Sequence, residues 1–486
     1  MTGMKVLAVT GRLAQNLVRA YAKDADVLVL DVDVAAFITP RMLILAAPKG
    51  YDLILVPGAI TADFQEAERE IGAKIRLGPK HAADLGFVLS HLDDVELSAK
   101  IPACVILESR MRKDALAEAK RLESEARPML QIKGVKIAGR SRMKVLAEIV
   151  DATRLRQEDL VKKIRYYEEQ GADMIDLGLP LDARPSEVAQ AFQIAKKATD
   201  LPLSVDTVLG DLILAGLYAG ADLVLSLNGQ NLPHVGEAVA AAGVSAVVIP
   251  GPGPLEENLL SAKGLGIKVI ADPVLDPPLQ GLALSLQRYT VFREAHPDIP
   301  LFFGAGNVTE LLDADSQGAN ALLAALGAEI GASILFTPEY SAKARGSVHE
   351  LLRAAQMMLL AKERRTPPKD LGIDLLVLKE KRPRPEEPMP RQFVAASKDH
   401  KYEADPAGSF RIGLAEGMIL ARHGACVIAG SNARDILNTI IEKGLVSRLD
   451  HAGYLGRELE KAELALRLGH SYSQDESLLA PPGKVP

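Results

Sequence analysis

Short apolar runs alternate with segments of helical periodicity along most of the chain. Within residues 4–130, the runs MKVLAVTG, ADVLVLDVD and YDLILVPGAI are typical of buried parallel strands, and a helical pattern follows each of them. We therefore predict an N-terminal, doubly wound α/β domain over residues 1–130. The turn TGRLAQN lacks the GxGxxG pattern of dinucleotide-binding domains, so it does not predict a nucleotide site.

The alternation becomes regular over residues 131–363. Strand ends at Asp206, Asn228, Pro250 and Asp272 are 22 residues apart, which is the length of one strand, one helix and two short loops. Several helical segments also end at a glycine. Repeated units of this kind predict a central (β/α)8 TIM barrel rather than an open sheet. The predicted strands are 144–150, 173–178, 201–207, 222–228, 246–251, 268–273, 301–306 and 333–339.

A different composition marks the C-terminal part of the chain. Residues 364–392 are rich in proline and charge, which predicts a linker containing one strand. The following residues predict a strand, an apolar segment, a second strand and a helix, and then a long amphipathic helix in LDHAGYLGRELEKAELALRLG. We assign residues 364–486 to the linker and a C-terminal α/β domain. The long helix carries four polar residues at helical spacing, which form either a surface ion network or a site: Asp450, His451, Arg457 and Glu458.

Composition and charge exclude several classes of protein. The chain has 486 residues, 48% of them hydrophobic, which is enough for more than one full-sized core. Its net charge is −6 and its basic residues are dispersed, so no nucleic-acid surface is expected. No apolar run approaches the ~18 residues of a membrane span, and the start lacks signal-peptide anatomy. We expect a cytoplasmic protein in which Cys104 and Cys426 stay reduced.

Polar side chains stand at the carboxyl ends of the predicted barrel strands, where active sites of TIM barrels form. Each one alone could cap the following helix. Together they favour a ligand that supplies hydrogen-bond donors, such as the N–H edge of a 2-amino-4-oxo pyrimidine. A carboxylate accepts two parallel hydrogen bonds from such an edge, and an amide both donates and accepts. These residues are Asp151, Asp176, Asp206, Asn228, Asp272 and Asn307.

The barrel motifs resemble those of the pterin-binding family, which includes dihydropteroate synthases and methyltetrahydrofolate corrinoid-protein methyltransferases. SVDT, LSLNG and IADP match the family's Asp of strand three, Asn of strand four and Asp-Pro after strand six. MIDLGLPLDARP resembles its Asp-x-Gly run with a nearby Arg-Pro, and Asp151 approximately matches an Asn of the first loop. The resemblance implies catalytic roles for Asp206, Asn228 and Asp272, substrate contacts for Asp151, Asp176, Arg184 and Asn307, and Mg²⁺ near Asp151.

Two synthase motifs are missing from the chain. Synthases have Ser-Arg-Lys after strand seven and Arg-x-His after strand eight, where this chain has FFGAGNVTELLDAD and LFTPEYSAKARGS. Asn307 in GNVT is closer to the methyltransferase branch. Lys343 and Arg345 are candidates for replacement pyrophosphate ligands, and a solvated helix start is the other interpretation. With its flanking domains, the whole chain resembles the archaeal and methylotroph dihydropteroate synthase-like proteins.

This resemblance implies a transferase that joins a dihydropterin-methyl pyrophosphate to an arylamine in folate or tetrahydromethanopterin biosynthesis. The pterin is then a substrate, Mg²⁺ is expected on the pyrophosphate, and a homodimer is expected. Two alternatives stay open at this point. One is a methyl-tetrahydropterin-dependent methyltransferase whose partner is a corrinoid protein, and the other is a non-catalytic pterin-binding protein. Ligand preference separates the three.

Overall fold

A computed structural model of the chain describes residues 3–23, 25–381, 389–396 and 403–479. The chain divides into two compact units, residues 1–386 and 387–486. The first unit holds the N-terminal sheet together with the barrel, and the second holds a small antiparallel sheet with two helices.

The N-terminal part is a four-stranded parallel sheet in the order β2-β1-β3-β4. Alternate residues of its strands pack into separate apolar clusters on the two faces, as a doubly wound sheet requires. The three predicted strands are confirmed, and the sequence prediction missed the fourth. The elements are β1 (Val6–Thr10), α1 (Gln15–Tyr21), β2 (Asp26–Val29), α2 (Pro40–Ala46), β3 (Leu53–Val56), α3 (Gln65–Ile71), β4 (Lys74–Leu77), α4 (Leu85–Leu89) and α5 (Ala103–Glu125).

A hairpin and eight parallel strands follow, and all eight predicted barrel strands are confirmed. Their order is β12-β11-β10-β9-β8-β7-β14-β13, and a parallel bridge between Ala271 and Leu301 joins the two ends of the sheet into a barrel. The hairpin is β5 (Leu130–Ile132) and β6 (Val135–Ile137). The barrel strands are β7 (Lys144–Ile149), β8 (Met174–Gly178), β9 (Leu203–Asp206), β10 (Leu223–Leu227), β11 (Ser245–Val248), β12 (Val269–Ala271), β13 (Phe302–Phe303) and β14 (Ile334–Thr337).

Helices surround the barrel and pack on the outward-facing strand residues in one large apolar cluster. Gly171, Gly243 and Gly331 end three of them with positive φ, the left-handed conformation that glycine adopts without strain. The helices are α6 (Gln157–Gln170), α7 (Pro185–Ala198), α8 (Gly210–Tyr218), α9 (Leu232–Ala242), α10 (Leu255–Gly264), α11 (Leu282–Ala295), α12 (Gly306–Thr309), α13 (Ser316–Ile330) and α14 (Ser347–Arg364).

The β5–β6 hairpin closes the amino end of the barrel. Its Ile132 and Ile137 are almost fully buried among inward-facing residues near the strand starts, such as Met174 and Ile334. The barrel is therefore filled with apolar side chains at this end.

A largely buried ion pair also holds the amino end. The guanidinium of Arg142 donates to both carboxylate oxygens of Asp173, at 3.0 and 2.6 Å. Asp173 Oδ2 also accepts from the backbone N–H of Val145 at 2.8 Å, which ties the start of β7 to the residue before β8. Asp222 makes the same backbone bond to Leu203 at 3.0 Å, without a guanidinium partner.

The second unit is a three-stranded antiparallel sheet covered by two helices, in agreement with the predicted C-terminal α/β domain. The long amphipathic helix is confirmed. The strand predicted in the linker is wrong for residues 364–381 and 389–396, and residues 382–388 lie outside the described residues. Leu376, Val377 and Leu378 are about half exposed, so this apolar run has no sheet to join. The elements are β15 (Arg411–Ala415), β16 (Met418–His423), β17 (Cys426–Gly430), α15 (Ala433–Glu442) and α16 (Leu449–Leu468).

Two further expectations concern the described part of the chain. None of its helices combines the length and apolarity that crossing a membrane requires. Cys104 and Cys426 form no disulfide and are partly buried rather than buried in the apolar cores.

Candidate functional site

The alternation of side chains along the strands brings acidic residues to the carboxyl end of the barrel interior. Leu146, Met174 and Ile270 face inward near the strand starts. Because side chains repeat every two residues on one face of a strand, Glu148, Asp176 and Asp272 face inward as well.

Three carboxylates form one cluster at this end, which we call the carboxylate cluster: Glu148, Asp176 and Asp206. Each offers an oxygen within 4.8 Å of the oxygens of the other two. Asp176 is fully buried, its Oδ1 accepts a hydrogen bond from the hydroxyl of Ser204, and its Oδ2 has no hydrogen-bond partner among the described residues. A buried carboxylate oxygen without a partner is rare in native proteins and requires an explanation.

Burial and mutual repulsion raise the pKa values of the cluster. Desolvation is the largest cause for Glu148, followed by the charge of Asp206, and together they raise the pKa of Glu148 to about 8. Desolvation and the charges of Asp206 and Glu148 raise the pKa of Asp176 well above its usual range. The pKa of Asp206 is also raised by burial, although a hydrogen bond from Ser226 opposes this. Ionisation of all three carboxylates together is thus electrostatically unfavourable.

Two backbone features make room for the cluster. A Cβ atom on Gly178 would lie 2.5 Å from Glu148 Oε1, so glycine there leaves space for the carboxylate. Strand β10 contains a bulge, where the register shifts between Val224 and Leu227 and Ser226 has a φ of 69°. The bulge turns the Ser226 hydroxyl toward Asp206, to which it donates at 2.9 Å.

Asn228 directly follows the bulged strand and is buried. Its Oδ1 accepts from the backbone N–H groups of Gln230 and Asn231, at 2.9 and 3.2 Å. Asn231 in turn accepts from the backbone N–H of Asn228 at 2.9 Å. Because the backbone donors fix the orientation of the amide, the Nδ2 group of Asn228 is the part left to donate to a ligand.

Asp272 follows β12, and its backbone N–H donates to Val248 of the neighbouring strand at 2.9 Å. Its Oδ1 accepts from the Tyr289 hydroxyl at 2.7 Å and from the backbone N–H of Val274 at 2.8 Å. Its Oδ2 accepts no hydrogen bond from the described residues. Desolvation raises the pKa of Asp272 to about 6 against these two hydrogen bonds, and the charge of Asp206 adds to the increase.

The other predicted substrate residues have partners of their own. Asn307 donates through Nδ2 to the carbonyl of Leu275 at 2.8 Å, which fastens the loop after β12. Asp151 has a φ of 51° and pairs with Arg154 at 3.2 Å, outside the carboxylate cluster, although its charge contributes to the raised pKa of Glu148. Arg184 pairs with Glu187 in a capping box at the start of α7.

Neither of the two basic candidates after β14 contacts the carboxylate cluster. Lys343 pairs with Asp313 at 2.6 Å. Arg345 lies near Tyr166, and its charge lowers the pKa of Lys163 after the larger effect of desolvation. No described Lys or Arg forms an ion pair with a carboxylate of the cluster or with Asp272.

Sequence reasoning missed Glu148 and Tyr289. A signal for Glu148 exists, because it is an acidic residue inside the otherwise apolar run VLAEIV of a buried strand. Tyr289 is 17 residues beyond the Asp272 that it contacts, in the middle of α11, and helical periodicity alone predicts only a core residue there.

The polar residues of the C-terminal helix form a structural network. The fully buried Glu458 accepts from Lys461 at 2.8 Å and from the Tyr472 hydroxyl at 2.9 Å, and it pairs with Arg457 at 3.4 Å. Asp450 pairs with Arg448, and His451 Nδ1 lies 2.8 Å from Asp405 Oδ2. These contacts join the helix to the loops on either side of it.

Comparison with known proteins gives matches of two kinds. A family model described as PterinBD-DUF4346 matches residues 404–475. The uncharacterized protein MJ0107 of Methanocaldococcus jannaschii is 37% identical over an alignment 520 residues long with its gaps. The alignment covers 98% of this chain and 99% of that protein. These matches confirm the predicted resemblance to the dihydropteroate synthase-like proteins of the pterin-binding family. The chain belongs to the same family as MJ0107, since the two align over almost their whole lengths.

Solved structures of dihydropteroate synthases are similar to part of the chain. The Yersinia pestis enzyme with a pterine-sulfa conjugate is 20% identical, covers 48% of this chain and 99% of its own, and has a TM-score of 0.40. The Xanthomonas albilineans enzyme with 4-aminobenzoic acid is 21% identical, covers 49% of this chain and 99% of its own, and also has a TM-score of 0.40.

Proposed function

We propose that the protein is a pterin-binding transferase that joins a dihydropterin-methyl pyrophosphate to an arylamine, in folate or tetrahydromethanopterin biosynthesis. The observation that carries the proposal is that Asp272 is fixed through one carboxylate oxygen while its other oxygen accepts no hydrogen bond from the described residues. Tyr289 and Val274 donate to the fixed oxygen. A carboxylate has about four acceptor positions, so two remain for the adjacent N–H groups of a pterin.

Asn228 and Asp206 complete the proposed pterin contacts. Asn228 supplies a donor through Nδ2, because its oxygen is occupied by backbone N–H groups. Asp206, a member of the carboxylate cluster, supplies an acceptor whose negative charge also acts on Asp272. Two acceptors and one donor suit a 2-amino-4-oxo pyrimidine ring, which presents donors and acceptors along its edge.

The chain's contribution to the reaction is positioning and charge. Cleavage of the C–O bond releases pyrophosphate and leaves a cationic methylene group; the arylamine nitrogen then forms the C–N bond and loses a proton to solvent. Carboxylates that are fixed in place before the reaction stabilise a developing cation without reorganisation. Holding the pterin against the amine in one orientation removes much of the entropic barrier. We expect this chemistry in a cytoplasmic homodimer.

A methyltransferase is the second candidate, and a specific observation favours it. No described basic side chain pairs with the carboxylate cluster, where a synthase would need positive charge for the pyrophosphate. Asn307, which resembles the methyltransferase branch, contacts the loop after Asp272. In this case the ligand is an N5-methyl pterin and the partner is a corrinoid protein. A non-catalytic pterin-binding protein would bind the ring and turn over neither substrate.

An assay of the purified protein separates these functions. A synthase converts a reduced pterin pyrophosphate with p-aminobenzoate or its ribofuranosyl relative, and Asp272→Asn lowers this rate. Turnover of N5-methyl pterin with a corrinoid acceptor, and none of the pyrophosphate ester, would replace the synthase by the methyltransferase. Pterin binding without turnover of either substrate would indicate a non-catalytic pterin-binding protein.

Pterin binding should weaken at acidic pH because Asp272 must be ionised to accept the N–H groups. Its pKa of about 6 is raised by burial, opposed by Tyr289 and Arg288 and supported by Asp206. At pH 5 only about a tenth of this carboxyl is ionised, so we expect affinity about tenfold lower than at pH 7. Fluorescence titration between pH 5 and 7 measures this. Asp272→Asn is the control, and a wild-type pH dependence as flat as that of the variant would contradict the prediction.

The same ionisation affects folding in the opposite direction. The folded pKa is higher than the unfolded value of 3.8, so the folded state binds more protons between these values. The Asp272 contribution therefore makes the unliganded protein less stable as pH rises from about 4 to 6, with no further change above that range.

The basic residues after β14 provide a separate test of the pyrophosphate. If Lys343 and Arg345 bind the leaving group, changing both to Ala should weaken binding of the pyrophosphate ester and spare the plain pterin. Calorimetric titration with the two ligands measures the difference. Equal losses, or none, would show that Lys343 serves only its ion pair with Asp313.

A further inference from the structure

We propose that Glu148, Asp176 and Asp206 bind one divalent cation of the Mg²⁺ or Mn²⁺ type. The first observation is the geometry of the carboxylate cluster, in which one oxygen from each residue lies within 4.8 Å of the others. Oxygen-only ligands with negative charge are the donors that these hard cations prefer.

A second observation points to a ligand. Asp176 is fully buried, and its Oδ2 has no hydrogen-bond partner among the described residues. No described Lys or Arg forms an ion pair with the three carboxylates. A buried charge in native proteins is normally paired with an opposite charge or coordinated to a metal. A cation at the cluster would satisfy the unpartnered oxygen and offset the repulsion among the three carboxylates.

The surroundings of the cluster hold its members in position. Ser204 donates to Asp176 and Ser226 donates to Asp206, so each of these carboxylates has one oxygen fixed. Gly178 leaves the space that the Glu148 carboxylate occupies. Hydrogen bonds of this kind orient metal ligands in proteins.

The proposed ion site differs from the one expected at Asp151. The Asp151 carboxylate is 43% exposed and pairs with Arg154. The three carboxylates of the cluster, by contrast, have no basic partner among the described residues, and Asp176 is fully buried. A divalent cation there would supply the positive charge toward a pyrophosphate that the basic residues of this chain do not. That role rests on the proposed function, whereas binding of the ion does not.

Titration with Mn²⁺ alone, followed by electron paramagnetic resonance of the free ion, tests the site. We expect the wild type to bind one Mn²⁺ that Mg²⁺ displaces, and Glu148→Gln and Asp176→Asn to weaken binding by about tenfold or more. Asp182→Asn is the control, because Asp182 is an exposed acid paired with the same Arg154, and it should stay within about threefold of wild type. Asp151→Asn should behave like the control.

Folding is monitored separately by melting temperature. Mn²⁺ should raise the melting temperature of the wild type and not that of Glu148→Gln. Gly178→Ala provides a variant that keeps all three charges, and its added methyl should displace the Glu148 carboxylate and weaken Mn²⁺ binding. Absence of bound Mn²⁺ at millimolar concentration, or equal binding by Glu148→Gln, would overturn the proposal. If Asp151→Asn were the variant that lost Mn²⁺ binding and the others kept it, the ion would bind at the first loop, and the proposal would also be overturned.

This experiment is independent of the pterin. Asp272→Asn should lose pterin affinity and keep Mn²⁺ binding, whereas Glu148→Gln should lose Mn²⁺ and bind the plain pterin. Failure of the cation site therefore appears in the metal titration, and failure of the pterin site appears in the pterin titration.

Discussion

Asp272→Asn should lower the affinity for a reduced pterin by about tenfold to a hundredfold, because a charge-assisted hydrogen bond contributes about 1.5–3 kcal/mol. Asparagine replaces one acceptor oxygen by an N–H₂ donor at nearly constant volume. The variant's Oδ1 can still accept from Tyr289 and Val274, as Asp272 does now. The amine then occupies the position of the free Oδ2 and meets the N–H groups of the pterin edge.

Folding of this variant should change little, since the bonds to Tyr289 and Val274 are retained. Titration with a reduced pterin and a melting curve on the same sample separate binding from stability. Ser285→Ala is a matched control, because it removes the acceptor of the Asp276 backbone N–H in the same loop without touching the Asp272 carboxylate. Unchanged pterin affinity with lowered stability would make Asp272 a turn residue and remove the main support for the pterin site.

Asp173→Ala should lower the free energy of unfolding by about 3 kcal/mol, the lower end of the range for a buried ion pair, because both side chains are largely but not fully buried. The change leaves the Arg142 guanidinium, which is 12% exposed, without its carboxylate. It also removes the acceptor for the backbone N–H of Val145 at the start of β7. Denaturant unfolding followed by circular dichroism measures the loss.

Asp222→Ala is the matched control for this prediction. Asp222 accepts the equivalent backbone N–H, from Leu203 at 3.0 Å, but its nearest cation, Lys133, is 3.9 Å away and partly exposed. Its removal should cost about 1 kcal/mol, the usual contribution of one hydrogen bond. Equal losses in the two variants would show that the backbone bond, and not the guanidinium, accounts for the effect of Asp173.

The barrel could be predicted from the sequence because the pattern that defines each strand and helix is local and is repeated along the chain. Each unit contains an apolar run and a helical period, and the strand ends at Asp206, Asn228 and Asp272 keep one spacing. The strand predicted in the linker failed for the opposite reason. The run of Leu376 to Leu378 has the apolar residues of a strand, but it pairs with no described strand and stays about half exposed.

The site could be predicted only in part, because its remaining features depend on contacts between distant residues. Asp206, Asn228 and Asp272 were found from their positions at strand ends. The cluster of Glu148 with Asp176 depends on the register of β7 against β8, where the two residues are paired. The bulge at Ser226 requires a positive φ in a non-glycine residue, for which the sequence LSLNG gives no signal. The hydrogen bond from Tyr289 to Asp272, which joins residues 17 positions apart, likewise depends on how α11 packs against the barrel.

Closure of the barrel's amino end by the β5–β6 hairpin has a kinetic consequence for the proposed reaction. Ile132 and Ile137 fill that end, so the proposed substrates would enter where the strands finish. Both substrates must then arrive, and the product must depart, by the same route. In the proposed complex the heterocycle would bind against Asp206 and Asp272, below the arylamine, so an arylamine that entered first would block its path. Addition should therefore be ordered, with the pterin ester first, and excess arylamine should inhibit by forming a complex that cannot react.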